Sequence, residues 1–215
     1  MPPALPEIIM KPLANYAIYR LTLKERIALL RSHYSIVANT LPANVLSALW
    51  TGSSVNLGKL KGKRGKNYYL TLDPARHCGK EGEYTFTFTD ESGLDLAKLT
   101  FMLATLDGEN LAPGLLIGGL QGPSSFSGTG AKERIIAATR DLSGLRPKMA
   151  VFIAASAFAA ACGVTSLRAV SNRTHTINAD ALYQRKKLHA DYDAFWIERD
   201  GAPADWGFKV PFGRA

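Results

Sequence analysis

The chain has 215 residues, 47% of them hydrophobic and 20% charged, and a formal net charge of +8. A chain of this size and composition buries a core, which excludes a disordered protein and fits one domain with a helical extension. The two cysteines, Cys78 and Cys162, stand in no CxxC spacing, which excludes a zinc knuckle or disulfide framework, while the positive charge favours an anionic partner.

The N-terminal stretch MPPALPEIIMKP has no basic region followed by an apolar run, so no secretory signal is expected and a cytoplasmic location follows. Residues 14–50 are expected to be helical. Leu23 to Arg31 and Asn44 to Thr51 carry apolar residues at helical spacing, with Pro42 interrupting them. The segment GKLKGKRGK follows, with Lys59, Lys61, Lys63, Arg64 and Lys66 crowded together. It reads as a solvated loop, and Lys59 to Lys66 is the candidate surface for nucleic acid or anionic lipid. Residues 1–66 are thus a helical N-terminal segment with a basic loop, and 67–215 a mixed α/β core, in one domain.

From Tyr68 the pattern changes to alternation. Tyr68, Leu70 and Leu72 predict a strand that ends in a turn at Asp73 and Pro74. The run YTFTFT at 84–89 predicts a strand with one buried face, and Asp90, Ser92 and Gly93 predict a hairpin turn. Leu96 to Leu106 is the return strand, Asp107 to Asn110 a turn, and Gly114 to Leu120 a third strand of an antiparallel meander. A helix is expected from Ala131 to Leu142, with Ile135, Ile136 and Thr139 on one face. A second, alanine-rich helix runs from Lys148 to Cys162, with Gly163 as its C-cap. Its apolar core, Met149 to Cys162, is 14 residues long and too short to span a bilayer, so no transmembrane segment is expected. Ser166 to Ser171 predicts a strand. Strand, helix pair and strand suit a crossover to a parallel neighbour. A short helix near Asp180 to Asp191 and strands at Asp193 to Glu198 and Phe208 to Pro211 complete the chain.

The candidate chemistry gathers in three places. The stretch IGGLQGPSSFSGTGAKER places Gly118, Gly119, Gly122, Gly128 and Gly130 between a strand and a helix. Glycines let backbone amides approach a ligand, and the helix that follows offers free N–H groups and a positive dipole end. Ser125, Gly128, Thr129 and Gly130, at the helix start, are therefore the candidate phosphate-binding residues, although the spacing matches neither GxxxxGK[ST] nor GxGxxG. Ser124 and Ser125 have no GxSxG context. Asn172 and His175 follow the strand SLRAVS, at the strand edge where ligands bind in α/β sheets. His175 is the candidate general base, in preference to His33, in a helix, and His77, in a polar turn. In HADYDAFW, Asp191 and Asp193 alternate with Tyr192 and on a strand would share one face. With His175 and His189 they would orient the base or hold a metal, but no spacing matches a defined metal motif and no metal is expected.

The words HCGKEGEYTFTF at 77–88, IGGLQGP at 117–123, GLRPK at 144–148, AVSNRTH at 169–175 and HADYDAFW at 189–196 together resemble the VirK/YbjX family of bacterial proteins. The resemblance covers most of 68–212. It implies a bacterial protein whose relatives are linked to virulence, the cell envelope and resistance to antimicrobial peptides, and it implies no reaction. A second resemblance is to the GNAT acyltransferase fold, in which a meander leads to a strand, a glycine-containing loop and a helix whose amides bind the pyrophosphate of acyl-CoA. The loop pattern there is Gln/Arg-x-x-Gly-x-Gly/Ala. Here Gly128 and Gly130 are present but Ser125 holds the first place, and two helices rather than one precede the strand at 166–171.

The fold expected is α+β, a mixed, mainly antiparallel sheet with flanking helices, GNAT-like with an N-terminal helical segment. The function that follows is acyl or aminoacyl transfer to an amine or hydroxyl. The donor would be acyl-CoA or another phosphate-bearing compound. His175 would be the base, Asp191 or Asp193 its orienting carboxylate, and Gln121, Asn172 and Tyr192 the substrate-binding residues. The alternatives are a non-enzymatic accessory protein of the envelope or of virulence that binds an anionic partner, and a metal-dependent enzyme using His175, His189 and Asp191.

Overall fold

The structure, a computed structural model, describes residues 5–76, 79–105, 113–123, 130–164, 166–179 and 191–211. Its N-terminal part is α1 (Leu5–Met10), a 3₁₀ turn (Lys11–Leu13), α2 (Leu23–Thr40) and α3 (Ala43–Trp50). Residues 14–22 are not helical as expected. They form a tight connection in which Ala17 and Arg20 adopt φ of 60° and 73°. Helix α2 starts where its sequence says it should: Thr22 and Glu25 form a reciprocal capping box.

One eight-stranded sheet follows. Its strands are β1 (Val55–Lys61), β2 (Asn67–Pro74), β3 (Tyr84–Thr89), β4 (Asp95–Thr105), β5 (Pro113–Gln121), β6 (Ser166–Ala169), β7 (Ala202–Ala204) and β8 (Gly207–Val210). The spatial order is β1-β2-β3-β4-β5-β6-β8-β7. Strands β1 to β5 form an antiparallel meander, β6 joins β5 in parallel, and β8 and β7 close that side antiparallel. The mixed, mainly antiparallel sheet and the parallel crossover are as expected. Between β5 and β6 the chain forms α4 (Ala131–Asp141) and α5 (Pro147–Ala161), and α6 (Tyr192–Ile197) precedes the last hairpin.

The core lies between the sheet and α5. Phe158 meets Phe86 and Phe101 edge-on, each at 5.6 Å, while those two rings stack at 5.0 Å. Phe86 and Phe101 sit on the central strands β3 and β4 and Phe158 on α5, and each of the two fully buried rings adds roughly 1.5–3 kcal/mol of burial. Helix α2 covers what β3 leaves open. Strand β4 outruns its partner beyond Phe101, and its edge amides are taken up by α2 side chains: Leu103 N–H donates to His33 Nδ1 and Thr105 N–H to Ser32 Oγ. An open strand edge is thereby closed.

Four expectations are corrected here. The basic segment is not a loop up to Lys61: Lys59 and Lys61 lie on edge strand β1, where lysines on an exposed edge discourage strand addition. Asp73 and Pro74 are still in β2, paired with Thr85 and Tyr84. Strand β3 is buried on both faces, because Thr85 and Thr87 are covered too and Thr85 shares a 3.2 Å hydrogen bond with Thr100. The strand expected at 193–198 is instead α6, because Asp191 accepts from Ala194 N–H as its N-cap. The turn expected at 107–110 and the helix near 180–190 lie outside the described residues.

Candidate functional site

The word IGGLQ builds a floor. In β5 the ladder with β4 slips between Gly119 and Ile117, so that Gly118 is the extra residue of a bulge. The segment 79–83 lies directly over it. A Cβ on Gly118 would run into the backbone carbonyl of Glu81, and one on Gly119 into the Glu81 carboxylate. The two glycines are thus the space that Glu81 occupies, which explains them better than a ligand-facing loop does.

Glu81 is 8% exposed and is held from two directions. The Gln121 amide donates to both carboxylate oxygens, at 2.9 and 3.1 Å. His175 Nε2 lies 3.3 Å from Oε1. The His175 ring is itself fixed: Nδ1 accepts the Ile177 N–H at 3.1 Å. With Nδ1 an acceptor, the neutral ring carries its proton on Nε2, the nitrogen nearest the Glu81 carboxylate and the Tyr192 hydroxyl. The Tyr192 hydroxyl is also 3.3 Å from Nε2, and it accepts the Leu120 N–H at 3.3 Å. Glu81, Gln121, His175 and Tyr192 therefore form one connected polar group at the carboxyl ends of parallel strands β5 and β6.

The expected residues divide. Gln121, His175 and Tyr192 come together in this group. Asn172, Asp191 and Asp193 lie beside it and bond one another's elements instead. Asn172 N–H donates to Asp193 at 2.7 Å, Asn172 Nδ2 to Asp191 at 2.9 Å, and Tyr192 N–H to Asn172 Oδ1 at 2.8 Å. These three fasten the start of α6 to the end of β6, and the α6 capping bonds hold the Asp191 carboxyl below the usual carboxylate range. The carboxylate that faces His175 is Glu81, not Asp191 or Asp193. Its sequence signal was the polar density at 76–83 together with a glycine pair in a buried strand. Of the expected phosphate-binding residues, Gly130 is the N-cap of α4 at φ 95°, and Ser125, Gly128 and Thr129 lie outside the described residues, as do His77 and His189. Among the described residues no three His, Cys, Asp or Glu side chains gather to hold a metal, and no helix is long and apolar enough to cross a membrane.

A second buried carboxylate, Glu83, lies near the N-terminal helices. It accepts from Lys11 at 2.6 Å and from the hydroxyls of Tyr16 and Tyr34. Burial and the Glu83 charge push both tyrosine pKa values up, so both remain donors. His33 packs against Tyr84 there, and burial lowers its pKa to about 4.

Over residues 2–214 the chain matches a family described as a protein of unknown function, DUF535. It is 35% identical over 212 residues to the uncharacterized protein YbjX of Escherichia coli (strain K12). The match takes in 97% of this chain and 61% of that relative's length. No solved structure matches. Glu81 lies in HCGKEGEY, Gln121 in IGGLQGP, His175 in AVSNRTH and Tyr192 in HADYDAFW, so separate stretches of sequence that carry the resemblance converge on one polar group. The chain belongs to the VirK/YbjX family, DUF535.

Proposed function

We propose that the chain is a GNAT-like acyl- or aminoacyl-transferase whose acceptor amine or hydroxyl gives up its proton to Glu81. The observation that carries this reading is the Glu81 carboxylate, held by Gln121 and His175 at the carboxyl ends of β5 and β6. Transfer from a thioester or mixed anhydride needs a base on the attacking atom and a site for the donor's phosphates. Glu81 is the base. His175, with both ring nitrogens engaged by the protein, positions it and stabilises its charge through Nε2–H. The donor's phosphates fall to the start of α4 at Gly130, where the glycine-rich segment ends and the helix dipole favours anions. The order meander, glycine-rich segment, helix, parallel strand supports the same assignment, with α5 as an added helix.

Calorimetric titration with acetyl-CoA and longer acyl-CoA esters tests it. Saturable binding is expected, lost in Gly130→Asp and kept in Glu81→Gln, with acyl transfer to a panel of amines lost in Glu81→Gln. Absence of binding to any phosphate-bearing donor overturns it. Salt-sensitive binding of nucleic acid or anionic vesicles, lost when Lys61, Lys63 and Arg64 are neutralised, would then replace it with the accessory-protein reading.

A further inference from the structure

Between α4, α5 and α6 lies a cavity of about 490 Å³, within the ~300–1,000 Å³ that small-molecule sites occupy. Gly122, the residue after Gln121, is part of its wall, and none of Glu81, Gln121, His175 and Tyr192 lines it. Its apolar lining includes Ile135 and Ile136 of α4, Met149 of α5 and Phe195 of α6. The expected shared face of Ile135, Ile136 and Thr139 is therefore directed here rather than into the core. Besides Thr139 the polar lining is cationic, Arg140, Arg146, Lys148 and Arg199, and no carboxylate lines it among the described residues. Pro147, with Arg146 and Lys148, belongs to the GLRPK word, which the polar group at Glu81 does not use.

Arg140 and Arg146 are exposed, but Lys148 and Arg199 are not ordinary solvated cations. The Lys148 side chain makes no hydrogen bond or ion pair among the described residues, and burial lowers its pKa against the weaker opposing pull of Asp191. The Arg199 guanidinium stacks 3.5 Å over the Phe195 ring, and its Nε is buried with no hydrogen-bond partner. The nearby carboxylate, Glu198, is 59% exposed and stands 4.0 Å from Arg146 and 3.5 Å from Arg199, so water screens much of what it offers them. No side chain caps the start of α5, whose first turn carries Pro147, Lys148 and Met149 on the cavity wall. An uncapped helix start, a desolvated lysine and a buried, unpartnered guanidinium N–H all call for an anion, and the isoleucine wall calls for hydrocarbon.

We propose that this cavity binds a single-chain anionic amphiphile. Its hydrocarbon chain lies along Ile135, Ile136 and Met149, and its phosphate head meets Lys148, Arg199 and the first turn of α5. Such a head occurs on lysophospholipids and on acyl thioesters of phosphate-bearing carriers. Binding does not depend on Glu81 or His175 acting in any reaction.

Calorimetric titration of the full chain with dodecyl phosphate, below its critical micelle concentration, is the test. One saturable site is expected. Inorganic phosphate, which has the head alone, and dodecyltrimethylammonium, which has the opposite charge, should each bind at least tenfold more weakly. Lys148→Gln and Ile136→Asp, at half-buried and exposed positions, should each lower affinity tenfold or more with an unchanged thermal melt. Glu81→Gln should bind as the parent does, which separates this site from the transferase reading. Parallel titrations with lysophosphatidic acid and lauroyl-CoA show which source of the head is preferred. No saturable site, equal binding of the cationic amphiphile, or parental affinity in both cavity variants overturns the proposal.

Discussion

Glu81 and Glu83 stand two residues apart in the run KEGEY, both are buried, and their surroundings assign them different work. Glu83 meets a lysine and two tyrosine hydroxyls, donors that hold their protons throughout the neutral range. That group is saturated and fastens the N-terminal helices to the sheet. Glu81 meets an amide and a histidine at the carboxyl ends of two parallel strands, over two glycines that exist to make room for it. A buried carboxylate locked to a fixed cation serves the fold. One held by an amide and an imidazole has no fixed cation against it, and it is the carboxylate to which the proposed reaction assigns the proton.

The largest expected effect is on the Glu83 side. Glu83→Ala leaves Lys11, Tyr16 and Tyr34 without their shared acceptor, and breaking a buried pair in this way costs about 3–5 kcal/mol. Urea unfolding should show a lower midpoint at an unchanged slope, with the unfolding free energy, their product, falling by that amount. Glu81→Gln, which keeps two acceptor or donor atoms in place, should cost far less. Equal losses would mean that both carboxylates are structural.

The same region sets an acid limit. Burial lowers the His33 pKa from 6.5 to about 4, so the unfolded chain binds the His33 proton more readily than the folded one. The stability this contributes is complete above pH 6.5 and is lost as pH falls toward 4, on the order of 3 kcal/mol in all. His33→Gln, which can still accept the Leu103 N–H, should flatten that part of the stability profile. A profile unchanged by the substitution would place the acid sensitivity elsewhere.

Gly119→Ala addresses the other region. The added Cβ displaces the Glu81 carboxylate, a flexible side-chain end, where Gly118→Ala would have to move backbone. Gly119→Ala should therefore cost about 1–3 kcal/mol, as overpacking does, and disturb the His175 contact. The His175 ring signals in an NMR pH titration should shift for Gly119→Ala and stay in place for Glu83→Gln. Gly118→Ala should cost the more of the two glycine substitutions.

How much of this was legible follows from which forces leave a local trace. The meander was readable from the alternation of β2 and β3 and the turn residues between the strands, and the helices α2 to α5 from their apolar spacing and punctuating glycines and prolines. Strand β1 was not, because all but its first residue is exposed and an edge strand held by backbone bonds needs no apolar alternation. Helix α6 was missed because DYDAFW alternates like a strand, and the deciding signal, the bond from Ala194 N–H to Asp191, is a geometry rather than a composition. His175 was found through its position after the strand at 166–171, Gln121 within the glycine-rich stretch and Tyr192 within HADYDAFW. Their partner Glu81 was not, since Gln121 reaches it across 40 residues of chain and only folding brings the two together.

The smallest expected effect separates the two readings of Asp191. As a carboxylate orienting His175, it would matter to proton transfer. As the N-cap of α6, it accepts from Ala194 and from the Asn172 amide and touches neither His175 nor Glu81. Asp191→Ala should then lower stability slightly, as loss of an exposed N-cap does. Asp191→Asn, a competent cap that carries no charge, should recover most of that loss. If Asp191→Asn instead abolished acyl transfer while retaining parental stability, the charge at 191 would belong to the reaction, and the division between a carboxylate for the fold and one for the chemistry would have to be redrawn around α6.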